Sequence, residues 1–364
     1  MSTSNTYTFG SNTQVDDFLR EAFHRIGIIG SRITGMQAES AVLSANLALT
    51  SWQGKVPLQW TRKRFLISLY INQPTYQLPS TITRIVDVAA VQPQRLNSGG
   101  LATSSTSTSP GTSAANCFDP TTTAGCIQTA PNGNIAYNYG TNNSQSIQYV
   151  GITPLQTQAT YTLFVEYSFD NVNWQTIYKA PTQTYFANQI VWFVIENSLN
   201  AMSWRIRETK GATLEIQQIY FSVPTVTGTG DRYLTPLSYT EWMQIPTKNS
   251  QGFPSSYFFN EQINPYLTLW PILGPTAQAN QFTGLLYTAY QYSQDITNLF
   301  NQVDIPQRFY DALVAELSYR IAVKFAPQLA QSLKADAQEA FQLAALTDAT
   351  YVPLRVQPDF LNYS

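Results

Sequence analysis

Residues Gln148–Tyr178 read QYVGITPLQTQATYTLFVEYSFDNVNWQTIY, and this stretch decides the fold class. It holds three short strand-like runs, Gln148–Ile152, Thr160–Ser168 and Gln175–Tyr178, rich in β-branched and aromatic residues and separated by polar turns. Three more runs follow at Ile190–Ile195, Ala201–Glu208 and Leu214–Phe221. Short strands recurring every ~8–12 residues predict a β-sandwich.

Outward from this block the texture changes on both sides. From Asn97 to about Gly140 the chain turns to Ser, Thr, Gly, Asn and Ala, with Asp119 as the one charged residue, which predicts a linker or long loop too polar to pack by itself. Before it, Val15, Phe18, Leu19, Ala22, Phe23 and Ile26 recur at helical spacing, capped by Asn12 or Thr13 and ended by Gly27 and Gly30. A second helix is predicted from Met36 to Trp52, stopped by Gly54 and Pro57. Alternation then marks a strand at Arg64–Ile71, a Pro-bounded turn at Tyr76–Pro79 and a strand at Thr81–Val91. Past Gly228–Asp231, strands are predicted near Ser256–Phe259, Tyr266–Trp270 and Gly284–Tyr292. Phe309, Leu313, Leu317, Ile321 and Phe325 repeat every four residues, as do Leu329, Leu333, Ala337 and Phe341 after Pro327, giving two closing helices. The expected fold is α+β: a helical scaffold with a small sheet region, interrupted by an inserted, jelly-roll-like β-sandwich that stands as an independent unit. Its parts are 1–92 and 231–350 for the scaffold, 93–230 for the linker and sandwich, and 351–364 for an extended tail.

The 364 residues are 43% hydrophobic and 13% aromatic, enough to build a core without metals or disulfides. Charged residues make up only 12%, about half the ~25% usual for soluble domains, so Ser, Thr, Asn and Gln must carry the surface. Such a surface fits β-rich proteins built into large assemblies. A net charge of −2 gives no basic field for phosphates, which argues against sequence-specific DNA binding. No apolar run approaches the ~18 residues of a membrane span, and Met1–Gly10 has no basic and apolar leader pattern, so a soluble, unexported chain with no membrane contact is expected. Cys117 and Cys126 could close a small loop or remain free thiols. His24, the single histidine, cannot anchor a multi-His metal site.

No nucleophile elbow, phosphate loop, dinucleotide fingerprint, HExxH or paired CxxC occurs, and no cofactor, metal site or catalytic residue is expected. Asp304, Asp311 and Glu316 read as solvated surface acids. Tyr167-Ser-Phe-Asp-Asn-Val-Asn-Trp174, followed by Trp204-Arg-Ile-Arg207, resembles the discoidin-like (galactose-binding-like) jelly rolls, with their S-D-G-x-x-W turn and late R-Y-x-R strand, over roughly Tyr149–Ser222. That resemblance implies that Trp174 and Trp204 stack on sugar rings while Arg205 or Arg207 bonds hydroxyls. The bland alternative puts both tryptophans in the core and pairs the arginines on the surface.

Asp231–Pro271 reads DRYLTPLSYTEWMQIPTKNSQGFPSSYFFNEQINPYLTLWP and resembles a segment of the head-to-tail adaptor proteins of podoviruses. Leu234, Pro236, Ser238, Glu241 and Trp242 match its first part, Pro246, Lys248, Gly252, Pro254 and Tyr257 its second, and Leu269, Trp270 and Pro271 its third. Tyr239 departs from the Arg usual in that family, and the helix pairs and a Y-x-L-P strand at Tyr76–Pro79 extend the likeness to about Val15–Val91 and Asp231–Asp348. The resemblance implies a structural virion protein of the head-tail connector, made in the host cytoplasm and assembled as a dodecameric ring beneath the portal. Its partners would be the portal protein, neighbouring subunits, tail nozzle, needle or tailspike proteins, and packaged double-stranded DNA sliding through without sequence-specific contact. It also implies that Tyr351, Val352, Leu354, Val356, Phe360 and Leu361 of the tail reach into crevices of the portal. A carbohydrate-binding tail module and a peptidoglycan-degrading tail enzyme are the competing readings.

Overall fold

The computed structural model describes residues 13–29, 33–55, 58–187, 189–224, 231–275, 283–300 and 302–348. The chain divides into two compact units, one made of both chain ends (1–63 and 290–364) and one of the segment between them (64–289).

In the first unit, helices α1 (Val15–Arg25), α2 (Gly35–Lys55), α3 (Tyr310–Phe325) and α4 (Ala330–Asp348) form where the apolar spacing predicted them. The cap of α1 differs from expectation. Gln14 occupies the cap position, and Asp17 Oδ2 accepts its backbone N–H at 2.9 Å, because an acid three residues on reaches back over the first turn. α3 packs against the other three helices, and its Leu313, Leu317 and Ile321 share a core with Phe18, Phe23, Leu49 and Trp52. The irregular stretch before α3 joins this core through Ile296, Val303 and Ile305. Its backbone is satisfied by Asn46, which bonds both the N–H (2.8 Å) and the C=O (3.1 Å) of Ile296. Asp348, at the end of α4, accepts the Gln59 N–H at 2.8 Å and pairs with Arg308.

The second unit is dominated by an antiparallel β-sandwich. One five-stranded sheet runs in the order Gln175–Lys179, Leu163–Ser168, Ser203–Glu208, Asn134–Asn138, Leu101–Ser104. The other orders Val191–Val194, Tyr149–Pro154, Glu215–Pro224 and Pro93–Arg95, with Cys126–Ile127 also on Glu215–Pro224. Register explains the core: Tyr137, Trp204 and Tyr167 lie in one cross-strand row and Ile135, Ile206 and Val165 in the next, all facing inward.

The stretch Asn97–Gly140 is not a linker. Leu101–Ser104, Cys126–Ile127 and Asn134–Asn138 are sandwich strands, and Cys117, Phe118, Ile135, Tyr137 and Tyr139 are core residues. Each of these strands supplies only one or two apolar side chains, and the backbone ladder with side-chain bonds such as Ser104 Oγ to Thr106 O (2.9 Å) holds the polar remainder.

Flanking strands build two four-stranded sheets, Arg62–Ser68, Gly284–Gln291, Ile82–Val91, Arg232–Tyr233 and Thr235–Leu237, Ser256–Asn260, Tyr266–Trp270, Thr75–Gln77. The turn expected at Tyr76–Pro79 thus begins in a strand, whose Tyr76 is buried beside Leu267 and Leu269. The sandwich shares a seam with the first of these sheets: Leu66, Ala89, Val91 and Leu286 pack with Tyr149 and Val194, and Trp192 Nε1 donates to Ser68 Oγ at 3.1 Å. The sandwich, expected as an independent insertion, and this sheet thus share buried side chains within the unit 64–289.

Phe309 is fully enclosed between Trp52, Trp60 and Phe341. Phe309→Ala should destabilise the helical unit by about 3–5 kcal/mol, measured as a lower urea midpoint in the helical circular dichroism signal.

Candidate functional site

The two regions singled out by the sequence, the aromatic and arginine cluster of the sandwich and the segment Asp231–Pro271, are built differently. In the sandwich, Asp170 closes the hairpin between Leu163–Ser168 and Gln175–Lys179. Its carboxylate accepts from the backbone N–H groups of Val172 (2.9 Å) and Asn173 (2.7 Å), the Asn173 amide (2.6 Å) and Ser168 Oγ (2.9 Å). Asn171 takes a positive φ of 58°, which an Asn tolerates in a tight turn. These bonds, backbone donors first, hold the Asp170 carboxyl well below its ordinary range. The turn delivers Trp174, half-buried, to the outer face of the sheet.

There Arg205 lies 4.2 Å from the Trp174 ring centroid. Its Nε donates to Glu166 Oε2 at 2.6 Å, while Arg207 donates to Oε1 through Nη2 (2.6 Å) and Nε (3.0 Å) and Thr176 Oγ1 adds a bond at 3.1 Å. Register makes this possible: Arg205 and Thr176 are the direct cross-strand partners of Glu166, and Arg207 is two residues along the same strand face. Glu166 is 3% exposed. Burial pushes its carboxyl up, but the bonds from Arg207 and Arg205 outweigh that and leave it lowered. A carboxylate held ionised by two guanidiniums is a clasp rather than a proton donor.

The four residues expected to meet a sugar are therefore divided. Trp204 is a core residue with no exposed surface, its Nε1 donating to Gln145 O at 2.9 Å, so it cannot stack on a ligand. Its place in the strand, facing inward beside Tyr167, decides this. Trp174, Arg205 and Arg207 do come together, around Glu166, a residue that the sequence motif does not single out. A buried Glu opposite one Arg and diagonal to another on a neighbouring strand would have been the signal, but it needs the register.

In Asp231–Pro271, Ser238 caps a short helix, Tyr239–Gln244, through a reciprocal pair: Glu241 N donates to Ser238 Oγ (3.3 Å) and Ser238 N to Glu241 Oε2 (2.7 Å). Ser-x-x-Glu is the legible sequence sign of this helix start. Trp242 stacks on Phe258 with centroids 5.7 Å apart, and Lys248 Nζ sits 5.6 Å over the other ring centroid of that pair, Trp242, while donating to the helix-end carbonyls of Met243 (3.3 Å) and Ile245 (3.1 Å). Trp270 Nε1 donates to Thr247 O at 3.1 Å. Leu234 and Tyr257 are buried together with Leu269, Pro236 stands opposite Tyr257 in a parallel strand pair, and Gly252 pairs with Leu273 beside Pro271. Pro254 is buried and Pro246 exposed. The matched residues form one local scaffold, and Tyr239 and Met243 project from it, exposed. Tyr351, Val352, Leu354, Val356, Phe360 and Leu361 lie outside the described residues.

Of the acids read as solvated, Asp311 is exposed and pairs with Arg25 at 3.0 Å, whereas Glu316 is buried and bonded to Arg320 at 2.7 Å. Among the described residues no group of three His, Cys, Asp or Glu could hold a metal ion, and no helix is long and apolar enough to cross a membrane.

The fold and these sites define the chain as an α+β protein carrying an antiparallel β-sandwich. No protein-family model matches the sequence, and no curated protein matches it. Similar solved structures include chitosan-binding module 1 of a chitosanase/glucanase from Paenibacillus sp. IK-5 (18% identity, 36% of this chain and 100% of that one, TM-score 0.30). Another is the family 32 CBM from C. perfringens NanJ in complex with galactose (13% identity, 38% and 100%, TM-score 0.31). A third, from Clostridium perfringens, is CpGH89CBM32-4 in complex with GlcNAc-α-1,4-galactose (10% identity, 36% and 95%, TM-score 0.30). Likenesses of this size leave the reading of the sites to their own geometry.

Because the folded-state carboxyl of Glu166 is lowered, its contribution is present above the ordinary carboxylate pKa and lost as pH falls through the folded value. Glu166→Gln should lower stability near pH 7 by about 3 kcal/mol and flatten the loss seen in wild type below about pH 4, both read from urea unfolding across a pH series.

Proposed function

We propose that the chain is a structural subunit of a larger assembly, and in its finer form a head-to-tail adaptor of a short-tailed bacteriophage. One observation carries the assembly reading. α2 buries Ala41, Ala45, Leu49 and Trp52 on one face, yet its opposite face presents Met36 (83% exposed), Leu43 (59%) and Leu47 (52%), two turns and one turn apart along a single line. A helix apolar on both faces belongs inside something, and a ring of identical subunits supplies the second surface. Leu343 and Leu346 of α4 are exposed as well, a candidate counter-surface on the neighbouring copy.

The adaptor form rests on the resemblance of Asp231–Pro271. In it, the subunits form a dodecameric ring on the portal, close the DNA conduit, retain packaged DNA and dock tail nozzle, needle or tailspike proteins. The weak net charge suits a conduit that DNA must slide through. The Tyr351–Ser364 segment would make the portal contact, the free chain would be monomeric, and no reaction would be catalysed. The names of the similar solved structures suggest sugar binding by the sandwich as a second reading; of the two tryptophans that it would use, Trp204 is enclosed and Trp174 covers Arg205.

Electron microscopy of purified protein mixed with its portal tests this reading: a ring of added density beneath the portal is expected, and no added density would contradict it. Leu43→Asp with Leu47→Asp should leave circular dichroism and monomer mass unchanged, since both side chains are exposed, and should abolish the ring. Undiminished ring formation by that variant would count against α2 as the interface.

A further inference from the structure

Two thiols of the sandwich play no part in either site. Cys117 lies in the short helix Ala114–Phe118 and Cys126 in the strand Cys126–Ile127; both are free and fully enclosed in the sandwich core. A single residue of the strand Glu215–Pro224 brings them together. Ile216 is the antiparallel partner of Cys126, and its carbonyl oxygen accepts from Cys117 Sγ at 3.2 Å. Both thiols therefore lie against the Ile216 peptide, one across the strand ladder and one through its carbonyl.

The segment between them is fixed at both ends. Gln218 Nε2 donates to the carbonyls of Asn116 (3.2 Å), Asp119 (2.7 Å) and Thr122 (3.1 Å), and Asp119 Oδ1 accepts from Thr121 through N (2.8 Å) and Oγ1 (2.7 Å). Gly125, at φ +61°, passes so close to the strand that a Cβ there would stand 2.4 Å from Ile216 O. Two thiols anchored on one residue of a prefolded frame are placed for a cross-link that does not distort its surroundings.

We propose that Cys117 and Cys126 form a redox pair, open in a reducing medium and closed to a disulfide in an oxidising one, which latches the Phe118–Gly125 loop onto the sandwich. With a small-molecule disulfide such as oxidised glutathione as oxidant, the Cys126 thiolate attacks one of its sulfurs and expels a small thiolate. The Cys117 thiolate then attacks the Cys126 sulfur and expels the second. Two protein thiols and one small disulfide thus become one protein disulfide and two small thiols. Cys126 is the first attacker because the hydrogen bond from Cys117 holds its thiol down, whereas burial pushes Cys117 up. Since both thiols are enclosed, the exchange proceeds when the loop opens or while the chain folds.

The full-length protein is refolded once in a glutathione redox buffer and once in excess reductant, then alkylated under denaturing conditions and weighed. The oxidised sample should weigh two hydrogens less than the unmodified chain, with neither cysteine alkylated, and the reduced one should carry two alkyl groups. Before alkylation, the oxidised protein should melt about 5 °C above the reduced one. Added reductant should reverse both changes, and Cys126→Ser should remove the difference. Alkylation of both cysteines after oxidative refolding, glutathione on both, or disulfide-linked pairs of chains would each overturn the proposal. The wild-type masses decide the matter even if the variant fails to fold.

Discussion

Trp52 of α2, Phe309 at the entry to α3 and Phe341 of α4 meet with ring centroids 5.9, 5.2 and 6.5 Å apart. These rings hold the two ends of the chain in one helical unit, and the rest of the architecture is an excursion from it. The chain leaves through the strand Arg62–Ser68 and returns through Gly284–Gln291, which are neighbours in one sheet. Closing a loop costs entropy that grows only slowly with its length, so a long excursion is tolerated once the closing contacts are strong. Aromatic side chains, which bury much area each, are suited to that task.

The scarcity of charge has a structural counterpart. Several of the few carboxylates are drawn inward and fully employed: Glu166 between two arginines, Glu316 on Arg320, and Glu208, whose oxygens accept from the N–H groups of Lys210, Gly211 and Ala212. Neutral polar side chains do the remaining work, as in the Thr160–Thr184 contact across strands and the Thr162–Thr182 contact just beyond them. What is left outside is a weakly charged surface with an apolar stripe on α2, a surface that costs little to desolvate.

Helix existence was legible in the sequence because apolar side chains every three or four residues line up on one face only when the backbone is helical, and the sandwich strands from Tyr149 onward were legible from their β-branched and aromatic content between turns. Asn97–Gly140 was not, because strands such as Leu101–Ser104 take their stability from pairing with Asn134–Asn138, a partner that composition does not reveal. The sites divide in the same way. The capping pair Ser238 and Glu241 is a local spacing and can be read directly, whereas the Glu166 clasp depends on which strand lies beside which. The inward direction of Trp204 follows from alternation, yet its neighbours Arg205 and Arg207 drew attention to the wrong face.

On the assembly proposed above, the outer stripe of α2 is covered by a neighbouring subunit. Oxidative footprinting of Met36, compared between the free chain and portal-bound particles by mass spectrometry, tests it most directly. Rapid conversion of Met36 to the sulfoxide in the free protein and strong protection in the particle are expected; equal oxidation in both states would contradict the account.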